Sequence, residues 1–114
     1  MAFVFLIYSP DGADVDREQL NRIRDWVSDL RAAGKLIFQT PFLPPGAANH
    51  VHRDMGEAET VDGPVSDELL SIHGAEFVKC ADMDEALELA GRHPVHNIPG
   101  ARVEVRKTWN VEKI

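Results

Sequence analysis

Proton transfer near neutral pH calls for an imidazole or a perturbed carboxyl, and the chain offers five histidines. His93 stands out, because it lies between the expected end of a helix and Pro94. There a ring can point into a cleft, and an imidazole, titrating at about 6.5, suits general acid or base work. The structural alternative is that His93 caps the last carbonyls of that helix. His96 and Asn97 follow closely and either share the site or sit on a solvent-facing loop. Five more side chains are candidate ligand contacts. Trp26 offers a flat wall for a ring-shaped molecule or else packs in the core, and Tyr8 offers a hydroxyl at the exit of a strand. Asp62 either meets a ligand or orders the Gly63-Pro64 turn that follows it. Arg102 and Arg106 fall on one face of a strand, where they hold an anion bidentately or pair with acids such as Glu76.

Other chemistries find little support. His50 and His52 point to the same side of a strand and would need His93 or Asp62 to complete a zinc set. Neither a Cys pair nor an H-E-x-x-H pattern is present, so no metal is expected, and no other cofactor. The lone cysteine, Cys80, reads as a small buried hydrophobe, and one cysteine makes no internal disulfide. A nucleophile elbow, a phosphate-binding glycine loop and a dinucleotide fingerprint are all missing.

The 114 residues suit one domain spanning 1–114, and 44% hydrophobic residues supply a core. Twelve Lys and Arg against nineteen Asp and Glu leave a net charge of −7, which repels a nucleic-acid duplex or an anionic membrane surface. Neither is an expected partner. The charge is uneven: residues 54–88 sum to −10, residues 1–53 to zero and residues 89–114 to +3, a pattern ordinarily produced by a solvated face. No apolar run approaches the roughly 20 residues of a membrane helix. The start of the chain lacks the basic region and long apolar stretch of a secretion signal. A cytoplasmic location is expected.

Several elements must position these groups. Phe3 to Tyr8 is a continuous apolar run closed by Ser9-Pro10-Asp11-Gly12, which predicts a strand. Asp16 and Gln19 form a capping-box pattern between Val15 and Leu20, and Leu20, Ile23, Val27 and Leu30 recur at helical spacing up to Gly34. That predicts a helix over 17–33. Leu36 to Thr40 is a second strand, stopped by Pro41, Pro44 and Pro45. Residues 48–54 and 57–61 could pair as an exposed hairpin about Met55-Gly56, and Asp67 to Leu70 could form one helical turn. Ile72 to Cys80 is a strand whose Gly74 marks a bulge or a close backbone approach. Asp82 and Glu85 cap a second helix with Met83, Ala86, Leu87 and Ala90 as its stripe, ended by Gly91 and Pro94. Ala101, Val103 and Val105 then alternate with Arg102, Glu104 and Arg106 as a half-buried strand. The order is βαββαβ with a minor hairpin, a ferredoxin-like α+β arrangement with two helices on one face of an antiparallel sheet. The first strand is apolar on both parities while the helices cover one face, so a second copy of the sheet is the expected cover, making a homodimer.

Val61-Asp62-Gly63-Pro64, Phe77, Asp82-Met83-Asp84-Glu85-Ala86-Leu87, His93-Pro94 and Val103-Glu104-Val105-Arg106 together resemble the YCII-related, or DGPF-domain, family. Leu6-Ile7-Tyr8, Trp26 and Ala33-Gly34-Lys35-Leu36 fit the same pattern, so the resemblance spans nearly the whole chain. Val65 stands where the family usually has Phe, and Lys107 where Pro often follows the last strand's Arg. The resemblance implies a ferredoxin-like subunit paired as a dimeric α+β barrel with a cleft between sheet and helices. Some members carry a His and Asp dyad, whose matching positions here look like Trp26 and His93, so the dyad is not reproduced. A few relatives are dehydrochlorinase-like enzymes acting on aromatic diols, and many are encoded near extracytoplasmic-function sigma factors.

Residues and resemblance together give one expectation. A homodimer binds a small cyclic or aromatic molecule in a cleft lined by Tyr8, Trp26 and His93, with weak lyase-like or isomerase-like chemistry by His93. The alternative is a non-catalytic sensing or regulatory module serving a sigma-factor pathway. An acidic or basic group within about 3 Å of His93 favours the enzyme.

Overall fold

The computed structural model describes residues 1–13, 15–66 and 70–109. Strand β1 (Ala2–Pro10) lies between its two neighbours in a four-stranded sheet of order β2-β5-β1-β6, antiparallel at every pairing. The other strands are β2 (Leu36–Pro41), β5 (Leu70–Lys79) and β6 (Arg102–Lys107), and a separate hairpin pairs β3 (Asn49–His52) with β4 (Glu59–Asp62). With helices α1 (Arg17–Ala32) and α2 (Met83–Gly91) this is the mixed α+β, ferredoxin-like order expected. The single turn expected over residues 67–70 falls mostly outside the described residues, and Leu70 opens β5.

Both helices begin as their sequences dictate. The Asp16 carboxylate accepts the Gln19 backbone N–H at 2.8 Å, and Asp82 accepts that of Glu85 at 2.9 Å, which satisfies donors the first turn cannot. Gly34, at φ +71°, ends α1. Its N–H bonds the Arg31 carbonyl and the Lys35 N–H bonds that of Leu30, the paired geometry of a left-handed glycine cap. The buried face of α2 is Ala86, Leu89 and Ala90, while Met83 and Leu87 are exposed. The stripe is therefore rotated from the one expected, with Leu89 inward in place of Met83 and Leu87.

Alternation along β1 sets the two sides of the sheet. Phe3, Phe5, Ile7 and Ser9 are buried and the intervening residues are half-buried. Phe3, Phe5 and Ile7 join Leu30, Val78, Ala86, Leu89, Ala90, Val95 and Ile98 in the core. The opposite face carries Val4, Leu6 and Tyr8, flanked in register by Phe77, Ala75 and Ile72 on β5 and by Arg106, Glu104 and Arg102 on β6. Phe38 of β2 extends the row of Val4 and Phe77, and is 59% exposed. No helix among the described residues covers this face. Gly74 answers both expectations made of it: the β1–β5 register shifts beside it, and a Cβ there would lie 3.0 Å from the Thr40 carbonyl oxygen.

Candidate functional site

The structure separates the expected site residues onto the two faces of the sheet. On the helix side, Glu76 rises from β5 into the core, where it is 5% exposed, and meets two ring donors. Trp26 Nε1–H of α1 donates to its Oε1 at 3.0 Å, and His93 Nε2 lies 2.7 Å from its Oε2. His93 Nδ1 accepts the Val95 backbone N–H at 3.0 Å. A backbone N–H can only donate, so Nδ1 is the bare nitrogen and Nε2 carries the proton that goes to Glu76. Both nitrogens are thus engaged, on a ring only 3% exposed. Trp26 leans on that ring, with centroids 4.9 Å apart and planes 53° apart.

His93 is the N-cap of the 3₁₀ turn Pro94–Asn97 rather than a cap on the end of α2. The ring that bonds a helix-end carbonyl is that of His96, whose Nε2 lies 3.0 Å from the Ala90 oxygen. The Pro94 carbonyl accepts from Gln19 Nε2 of α1 at 2.8 Å and from Asn97 Nδ2 at 3.0 Å. The turn is in this way tied to α1 as well as to β5.

Tyr8 lies on the other face. It stands between Ile72 and Arg102 across β1 and lines a cleft of about 790 Å³. The cleft is closed by Phe42, Leu43, Pro44 and Pro45 from the segment after β2, by Pro64 and Val65 from the turn after β4, and by Leu70 and Ile72 of β5. Its walls are mostly apolar, and Tyr8, Ser66 and Ser71 are the polar residues along it. The expected single cleft of Tyr8, Trp26 and His93 is corrected here: alternation along β1 sends Tyr8 away from the helices, so the sheet lies between it and the other two.

The remaining candidates disperse. Asp62 Oδ1 accepts from Asn49 Nδ2 at 2.8 Å across the exposed hairpin, so it holds the base of the turn whose next residues, Pro64 to Ser66, wall the cleft. Arg106 pairs with Glu104 two residues away on its own strand. The expected pairing of the arginines with Glu76 does not occur, since Glu76 faces the core. Arg102 forms no ion pair or hydrogen bond among the described residues. His50 bonds the Gly63 carbonyl and His52 pairs with Asp54, so the two rings are engaged separately. Burial pushes the Cys80 thiol up from its ordinary value, with Glu85 adding to the effect.

Two features went unread in the sequence. Glu76 was considered only as a surface partner, although a lone acid inside an apolar strand is a signal of a buried polar contact. The cleft wall at Phe42-Leu43-Pro44-Pro45 has a signal too, since two large apolar side chains beside rigid prolines are costly to expose without use.

A model of the YCII-related domain matches residues 1–110. Among solved structures, 5-chloro-2-hydroxyhydroquinone dehydrochlorinase from Burkholderia phenoliruptrix AC1100, in complex with 2,5-dihydroxybenzoquinone, is similar over 99% of this chain and 98% of that one, at 13% identity and a TM-score of 0.49. No curated protein sequence matches the chain.

Proposed function

The chain belongs to the YCII-related family, and we propose that it binds a small cyclic or aromatic molecule in the Tyr8 cleft. The observation that carries this is the cleft itself: about 790 Å³, walled by apolar side chains and prolines, with Tyr8 among its lining residues. A volume of that order accommodates a small molecule, and a few hydroxyls in an apolar wall are enough to orient one. The chain acts as one domain and pairs through the uncovered sheet face into a dimeric α+β barrel. Support comes from Phe38, Phe77, Val4 and Leu6, which make a continuous apolar row that the helices leave open.

Isothermal titration with a panel of cyclic acids, phenols and lactones tests the binding reading. Ala47→Trp fills the cleft from an exposed wall residue and spares the core. Binding by the wild type that drops about tenfold or more in this variant supports the reading. Equal binding by both proteins contradicts it.

The Glu76 contact favours a second reading, in which His93 is the acid or base of a lyase-like or isomerase-like reaction. A carboxylate 2.7 Å from the ring is the partner such chemistry needs. The reading also requires a substrate to reach a buried ring and to displace the Val95 N–H or Glu76. Turnover of a panel member by the wild type but not by His93→Asn supports it. Binding without turnover leaves a ligand-sensing module.

A further inference from the structure

The β3–β4 hairpin is bare along nearly its whole length. Every residue of β4 is exposed and, of β3, all but His50, while the apolar side chains of Val51 and Met55 lie in water. A two-stranded hairpin standing alone is marginal in water, so this one gains from a surface to lie on. Its charge says which. Residues 49–62 carry Asp54, Glu57, Glu59 and Asp62 against Arg53, a net −3. His52 holds Asp54 and Asn49 holds Asp62, but Glu57 and Glu59 have no side-chain partner among the described residues.

The basic counterpart is β6, at the other edge of the sheet from β2. Arg102 stands across from Tyr8 on the face that the helices leave open, and it too has no side-chain partner among the described residues. The hairpin rises on this same face, since Ala47 and Ala48 before it and Pro64 after it wall the cleft that Tyr8 lines. It follows β2, and Pro41 at the end of β2 is level with Gly74, Ile7 and then Val103, the neighbour of Arg102.

A second copy stacked on this face can be related to the first by a two-fold axis across the strands or along them. An axis across the strands sets β2 against β2 and brings both acidic arms to one edge, where like charges repel. An axis along the strands sets β2 against β6 and keeps the level, so each arm meets the Arg102 end of the other copy's β6. Charge selects the second arrangement.

We infer that the β3–β4 hairpin is an arm that lies across β6 of a second copy, with Glu57 and Glu59 against Arg102 of the partner subunit. This deepens the dimer reading and rests on it. Pro64 and Val65 follow the arm directly, so its seat on the partner subunit also fixes one wall of the Tyr8 cleft.

Charge reversal tests the contact, because all three positions are exposed and their substitution spares the core. One variant carries Glu57→Lys and Glu59→Lys, the other Arg102→Glu. Each alone faces like with like at both contacts of its dimer, whereas a mixed dimer of the two faces opposite charges at both. Native mass spectrometry of the wild type, of each variant and of their equal mixture reads the species present. Each variant alone is expected to dimerise about tenfold more weakly than the wild type, and in the mixture the mixed dimer should outnumber the two homodimers about tenfold. Variants that dimerise like the wild type and mix in chance proportions overturn the arm while the dimer stands. Dimers lost in both variants and not recovered on mixing also overturn it. A monomeric wild type would sink the arm and the dimer reading together.

Discussion

Glu76 Oε2 lies 2.7 Å from His93 Nε2, and the other carboxylate oxygen accepts the Trp26 indole N–H at 3.0 Å. One acid on β5 therefore fixes a ring from α1 and a ring from the turn after α2. Each donor is satisfied, and so is the Val95 N–H on the far side of His93. Buried polar groups stabilise a fold when all their bonds are made and become costly when one is removed. The network is in this respect a fastener of the helix layer to the sheet.

Removing the acid should expose that cost. Glu76→Ala leaves two buried N–H groups without an acceptor, each worth about 1–3 kcal/mol. Trp26→Phe deletes one of those donors and keeps the ring in place, so it should cost less than Glu76→Ala. Urea unfolding of the three proteins checks the order. A loss below about 1 kcal/mol for Glu76→Ala would show that water replaces the carboxylate and that the network is not sealed.

At position 93 the two ring bonds can be told apart. Asn offers a carbonyl where Nδ1 sits and can still cap the Val95 N–H, while Ala offers nothing. His93→Ala should be less stable than His93→Asn by about 1 kcal/mol, the usual value of an N-cap. Equal stabilities would mean that the Val95 bond contributes nothing measurable.

The buried thiol gives a pH prediction. Cys80 is 4% exposed, and its pKa is raised from 9.0, chiefly by burial and further by Glu85. A thiol that keeps its proton longer folded than unfolded contributes stability that is fully present below pH 9.0. That stability is lost as pH rises through the folded-state value. Wild-type stability should therefore fall faster than that of Cys80→Ala between pH 9 and 10.5, roughly the range in which an unfolded thiol ionises. Parallel pH profiles for the two proteins would contradict this.

Caps, strand order and helix count were legible in the sequence because each rests on local chemistry: Asp16 and Asp82 before their helices, Gly34 after α1, prolines after β2. The site was only partly legible. Every residue from Phe3 to Tyr8 is apolar or aromatic, so the run has no polar parity to say which side Tyr8 faces, and it was grouped with Trp26 and His93. On β5 the register shift beside Gly74 breaks the period of two, which hid the inward direction of Glu76. His93 stands out in the sequence through its place before Pro94. What makes it special, an acid 17 residues earlier, depends on strand pairing that spacing does not reveal.

On the proposed reading, ligand is taken on the Tyr8 face of the sheet. Amide chemical-shift mapping of the wild type with a binding member of the panel tests it most directly. Shifts are expected to concentrate at Tyr8, Leu43, Ala47, Ser71 and Ile72, with the amides of Trp26, Glu76, His93 and Val95 unmoved. Shifts concentrated at Trp26, Glu76, His93 and Val95, with the Tyr8 face silent, would contradict it and place the chemistry in the buried network instead.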